Sequence, residues 1–150
     1  MLTPKDLEII SHLRQNSRKS LVDISNDTKV PTSTVFDKLK CFNDGVIKKY
    51  TAIVDFPLIG YNIRVFMMLK SSDEERLKCF LFSHGNVNSV FQINNGYAFF
   101  IDCIFRDSKE FFYFRQELDK LIVSKQVFNI IDEIKREDFL VERGVNNERS

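Results

Sequence analysis

The stretch from Val30 to Tyr50, Val-Pro-Thr-Ser-Thr-Val-Phe-Asp-Lys-Leu-Lys-Cys-Phe-Asn-Asp-Gly-Val-Ile-Lys-Lys-Tyr, constrains the fold of this chain most tightly. Pro31 disfavours helical backbone at Val30, so any earlier helix must stop there and a new one can begin. Val35, Leu39 and Phe42 then fall at i, i+4 and i+7, which places one apolar stripe on one helix face. The rest of the surface carries Thr32, Ser33, Thr34, Asp37, Lys38 and Lys40, side chains of the size and hydrogen-bonding type that reach base edges in a DNA groove. Gly45 ends the helix. Val46-Ile47 opens an extended segment in which Lys48 and Lys49 can lie beside phosphates. The pattern predicts the reading helix and wing of a winged helix-turn-helix.

The residues before it supply the other two helices. Thr3-Pro4-Lys5-Asp6 combines a capping side chain, a proline for the first helical position and an acid able to close a capping box. Leu7, Ile10 and Leu13 form the expected buried stripe, with Ile9 on its flank. Gln15 to Lys19 is a polar loop. Ser20-Leu21-Val22-Asp23 repeats the capping signature, and Leu21 and Ile24 face inward, with Ser25 small enough for a close helix crossing. Three short helices, the last two joined tightly, is the helix-turn-helix arrangement.

Charge agrees with this reading. The net charge is only +1, but residues 1–50 hold nine Lys/Arg against six Asp/Glu, while the remainder holds thirteen against fifteen. The front of the chain is therefore the basic end that a nucleic acid prefers. Cys41, Cys79 and Cys103 have no second cysteine or histidine at metal-ligand spacing, and buried thiols in a reducing compartment are expected. His12 and His84 have no nucleophile motif beside them. No Gly-rich phosphate loop opens a helix, so neither an enzyme nor a bound cofactor or metal is expected. No run approaches the length of a membrane span and no leader opens the chain, which predicts a cytoplasmic protein.

The last hundred residues change period. Asp55 to Gly60 reads as a linker. Ile63 to Leu69 is nearly all apolar and predicts a strand buried on both faces. Asp73 to Ser83 has Leu77, Phe80 and Leu81 at helical spacing, and Val87 to Ile93 alternates as a strand. Asn94-Asn95-Gly96 is a hairpin signal. Tyr97 to Phe105 forms the next strand, Ser108 to Ile122 an amphipathic helix capped by Ser108, and Gln126 to Ile134 a last strand. The order βαββαβ predicts a ferredoxin-like plaited sheet with both helices on one face. Both faces of Tyr97–Phe105 are apolar, so one sheet face must meet a partner, most simply a second copy. Val65, Tyr97, Phe99, Ile101 and Phe105 are the residues expected in that dimer interface.

The same strand also resembles the RNP1 signature of RNA-recognition motifs, through Gly96, Tyr97, Ala98 and Phe99, whose aromatics could stack on bases. Asn95 replaces the expected basic residue and Asp102 an expected aromatic. A further alternative is a metabolite-sensing module that acts on a protein partner.

Taken together, the chain resembles the Lrp/AsnC (feast/famine) family of prokaryotic transcription regulators over roughly residues 2–138. The likeness is carried by Leu2 to Ile10, the Asn16-Ser17-Arg18 loop, Asp23-Ile24-Ser25, Val30 to Val35, the Lys38-Leu39-Lys40 run and Gly45 to Tyr50. It implies an α+β chain: a helix-turn-helix DNA-binding domain at 1–54, a linker at 55–62, a ferredoxin-like dimerisation and effector domain at 63–138, and a polar tail at 139–150. It further implies a homodimer, in many members an octamer, that reads pseudo-palindromic double-stranded DNA. An amino acid or other small-molecule effector is implied at the turn Asn94, Asn95, Gly96, Tyr97 and Ala98. Three departures stand out. Lys29 occupies a usual glycine position, Phe42 to Gly45 is one residue short, and Ala98 stands where a turn aspartate is common.

Overall fold

A computed structural model describes residues 1–141. It divides into two units: Met1–Ala52 together with the described residues from Ile134, and Ile53–Glu133.

In the first unit, helix α1 spans Pro4–Gln15, α2 Leu21–Thr28 and α3 Thr32–Asn43. The first helix starts on the expected capping box. Thr3 Oγ1 accepts from the Asp6 N–H at 3.1 Å, and the Thr3 N–H donates to the Asp6 carboxylate at 2.8 Å. Ser20 caps α2 by accepting from the Asp23 N–H. The turn into α3 runs through Lys29, whose backbone is left-handed at φ 58°. A side chain there carries a strain of about 1 kcal/mol that glycine avoids. Ser25 Oγ donates to the Val30 carbonyl at 2.6 Å, and Thr28 Oγ1 to the Ile24 carbonyl at 2.7 Å. These bonds satisfy polar groups where α2 ends.

Ile9, Ile10, Ile24, Val35 and Phe42 form the core, with Leu13, Leu21, Val30, Leu39 and Ile47 against it. One expectation changes here. Leu7 is exposed and Ile9 is fully buried, so α1 is rotated toward Ile9. The rotation brings Asp6 inward as well.

The last helix ends at Asn43, before Gly45. The Phe42 carbonyl accepts from both the Val46 and Ile47 N–H at 2.8 Å, which tucks the chain back under the helix. From Ile47 to Tyr50 the backbone joins no sheet, so the expected wing does not form a strand. Tyr50 donates its hydroxyl to Asn43 and holds that segment beside the end of α3.

The second unit contains β1 Ile63–Lys70, α4 Glu74–Ser83, β2 Val87–Gln92, β3 Phe99–Phe105, α5 Ser108–Asp119 and β4 Ser124–Asn129. The strands lie in the order β2-β3-β1-β4, every neighbour antiparallel. This is the βαββαβ plaited sheet. Several boundaries differ from the sequence expectation. Strand β3 begins at Phe99 because Asn94–Ala98 is used by the turn, where Gly96 takes φ 92° and the Ile93 N–H meets the Ala98 carbonyl. Asp107, not Ser108, caps α5 through the Glu110 N–H. The last strand ends at Asn129.

Strand β1 is buried on one face, not two: Val65, Met67 and Leu69 are fully buried, while Arg64, Phe66 and Met68 are partly open. The buried face packs with Phe99, Ile101, Cys103 and Phe105 beneath Leu77 and Leu81 of α4 and Phe114 and Leu118 of α5. Of the three cysteines only Cys103 is buried; Cys41 and Cys79 are exposed, against the expectation of buried thiols. Burial, then the Asp102 charge, pushes the Cys103 thiol well above its ordinary range.

The polar tail expected at 139–150 lies outside the described residues from 142 on. Before that point, Arg14 of α1 donates to the Phe139 carbonyl at 2.9 Å and meets Glu137 at 3.3 Å.

Candidate nucleic-acid interface

Helix α3 presents two distinct faces. Val35, Leu39 and Phe42 point into the core, which fixes the rotation of the helix. Opposite them Ser33, Phe36, Asp37 and Lys40, spaced i, i+3, i+4 and i+7, form a continuous exposed stripe. Thr32 is exposed at the first helical position, and Thr34 is half-buried at the edge. No side chain caps this helix, so its first N–H groups face outward beside Thr32 and Ser33. That is the polarity an anion prefers. Lys48 and Lys49 are exposed on the segment that follows.

Lys38 departs from its expected place. Its ammonium pairs with the buried Asp6 carboxylate, tying α3 to the first turn of α1. The hydrogen bond from Lys38, followed by that from the Thr3 backbone, holds the Asp6 carboxyl down at about 2. Lys38 is thus removed from the set of base-reading candidates. Phe36 is the reverse case: an apolar residue, it is nonetheless 56% exposed. Its helical angle lies outside the Val35–Leu39–Phe42 arc, the one signal in the sequence that marked it.

Elsewhere in the first unit, positive charge is partly neutralised. Lys19 pairs with Asp27, and its hydrogen bond lowers the Asp27 carboxyl below its ordinary value. Lys5 meets Glu8 and also donates to the Thr28 carbonyl at 2.7 Å, capping the end of α2.

The expected dimer residues need correction. Val65, Phe99, Ile101 and Phe105 are buried beneath the helices of their own sheet, and Tyr97 lies in the turn before β3. The same burial removes Phe99 as a base-stacking platform of the RNP1 kind. The open face is the other one. Strand register places Phe66 beside Phe128, Met68 beside Phe100, and Phe91 beside Phe100. Phe66 and Phe100 meet edge to face at 5.3 Å, while Phe91 is 57% and Phe128 44% exposed.

At one end of this face Arg64 grips Asp102 with two hydrogen bonds of 2.9 and 2.8 Å and reaches Glu133 at 2.6 Å. Asn88 donates to Asp102 at 2.9 Å. Asp102, then Glu133, raises the Arg64 pKa further above its already high value.

At the expected effector turn, Asn94, Asn95 and Gly96 are exposed and Tyr97 and Ala98 half-buried. The Ala98 N–H donates to the Leu69 carbonyl, and the Lys70 ammonium lies 5.0 Å from the Tyr97 ring centre. None of the five turn residues carries a carboxylate. Among the described residues no cluster of His, Cys, Asp and Glu is grouped to hold a metal ion, and no helix is long and apolar enough to cross a membrane.

Comparison with known proteins follows the same lines. No family model matches the chain. The chain is 38% identical over 66 residues to the HTH-type transcriptional regulator FL11 of Pyrococcus furiosus, a match covering 43% of this chain and 44% of that protein. It is 24% identical over 141 residues to the uncharacterized HTH-type transcriptional regulator PH1692 of Pyrococcus horikoshii, covering 91% of this chain and 95% of that one. Among solved structures, Bacillus subtilis LrpC superposes with a TM-score of 0.83 at 21% identity, over 90% of this chain and 98% of LrpC. The transcriptional regulator NMB0573 of Neisseria meningitidis, crystallised with L-Met, gives 0.83 at 19% identity, over 91% and 94%. The relatives that the chain matches and the structures that share its fold carry the names of transcription regulators. The chain is similar to regulators of the Lrp/AsnC type, LrpC and AsnC among them.

Proposed function

We propose that this protein binds double-stranded DNA in a sequence-specific manner as a homodimer and so regulates transcription in the cytoplasm. The observation that carries the reading is the exposed Ser33–Phe36–Asp37–Lys40 stripe on a helix whose opposite face is locked in the core. An α-helix fits the major groove, where Ser33 and Lys40 can donate to base edges and Asp37 can accept from a cytosine amino group. Lys48, Lys49 and the uncapped start of α3, beside Thr32 and Thr34, meet phosphates and set the register.

One such domain makes few phosphate contacts, so a monomer binds weakly. Two copies joined by a two-fold axis double the contacts and place half-sites about 34–36 Å apart, one helical turn. The joining surface in this proposal is the open sheet face bearing Phe66, Met68, Phe91, Phe100 and Phe128. An apolar face of this kind is costly to leave in water.

Assembly into octamers and an amino-acid effector at Asn94–Ala98 belong to the same proposal. NMB0573 was crystallised with L-Met. In this chain the turn offers amides and the neighbouring Lys70 ammonium instead of a carboxylate.

Selection of genomic fragments by the purified protein, followed by footprinting, tests the reading. The expected result is a small set of fragments protected over two half-sites related by a dyad. Recovery of fragments without a shared sequence contradicts it. Sizing of the same protein with each of the twenty amino acids reports on the effector through a change of assembly state.

A further inference from the structure

We propose that Phe36 is a specificity-determining residue whose ring meets the C5-methyl group of a thymine in the major groove. The inference rests on the DNA-binding reading above and adds to it the identity of one base. Phe36 cannot turn inward, because burial of Val35 on one side and the Lys38–Asp6 pair on another pin the rotation of α3. It therefore stays in the outward stripe, between Ser33 and Lys40, with more than half its surface open. An aromatic ring there does nothing for a phosphate, which is sought by Lys48 and Lys49. Among major-groove features, the thymine methyl is the one that rewards an apolar side chain. Phe36 thus adds to the preference for one sequence over another and nothing to general affinity for DNA.

The test uses the full chain and duplexes that it selects from a random pool. Each thymine of the selected site is replaced in turn by uracil, which keeps its base-pairing groups and lacks only the methyl. Wild-type protein should bind about fourfold more weakly for the methyl removed at one position in each half-site, the equivalent of one buried methyl group. Phe36→Ala should bind the parent site more weakly, ignore uracil at that position, and keep the wild-type affinity for a scrambled duplex. Phe36→Leu should restore part of the sensitivity. If every uracil-substituted site binds wild type undiminished, Phe36 reads no methyl and the inference is overturned while DNA binding stands. If the pool yields no preferred sequence at all, the DNA-binding reading falls and takes the inference with it.

Discussion

Helix α3 and strand β3 pose the same question in two units, which of two faces lies inside, and answer it by different physics. In α3 the core partners are α1 and α2, next to it in the chain, and the 3.6-residue period singles out Val35, Leu39 and Phe42. In β3 both alternating sets are apolar, and the inner set is decided by where α4 and α5 land. That is a matter of crossover handedness and pleat, not of the local pattern. Phe99, Ile101, Cys103 and Phe105 went under the helices; Phe100 and Asp102 stayed on the open side. A helix facing its neighbours declares its inside by period. A central strand of two greasy faces does not.

The largest expected effect separates the two faces of β3. Phe105→Ala removes a fully buried ring that packs on Phe111 and Phe114 and should destabilise the second unit by about 3–5 kcal/mol in urea denaturation followed by circular dichroism. Phe100→Lys, on the open face, should leave the far-ultraviolet spectrum intact and give a monomer on sizing in place of the proposed dimer. A Phe100→Lys protein that elutes with wild type breaks the assignment of that face.

A smaller effect sharpens the account of α3. The Asp6 carboxyl titrates at about 2 when folded against an ordinary value of 3.8, so its pairing stabilises the fold above about pH 4 and is lost as pH falls through about 2. Lys38→Met should therefore lower the urea midpoint at pH 5, with the gap to wild type closing between about pH 4 and pH 2. A gap that persists at the acid end shows that Lys38 acts through its packing and not through its charge.

Much of this was legible from residues. Thr3-Pro4-Lys5-Asp6 and Ser20 to Asp23 marked helix starts because capping is local chemistry, and Asn94-Asn95-Gly96 marked a turn because only a residue tolerant of positive φ sits easily at Gly96. Lys38 and Phe36 show where residue type alone misleads in α3. Lys38 reads as surface by its charge and Phe36 as core-edge by its apolarity. Their positions around the helix, together with an acid turned inward by the rotation of α1 toward Ile9, outweigh both labels. For the sheet a signal was present. Arg64 and Asp102 share a face with Phe66 and Phe100, and charged residues do not belong beneath helices, so that face had to be the open one. The missing ladder at Lys48 and Lys49 left no such trace, since an extended segment reads the same whether or not a partner strand exists.

The central claim is that the outward stripe of α3 reads base pairs, and one titration tests it most directly. The triple variant Ser33→Ala, Asp37→Ala, Lys40→Ala alters only exposed positions and should keep the wild-type spectrum. Its affinity and that of wild type are measured by gel shift on a selected operator and on a scrambled duplex at one salt concentration. With each base contact worth about 1–3 kcal/mol, the variant should lose most of its preference for the operator over the scrambled duplex, keeping only the small share that Phe36 supplies. An undiminished preference for the operator would place sequence reading elsewhere in the molecule and contradict the account.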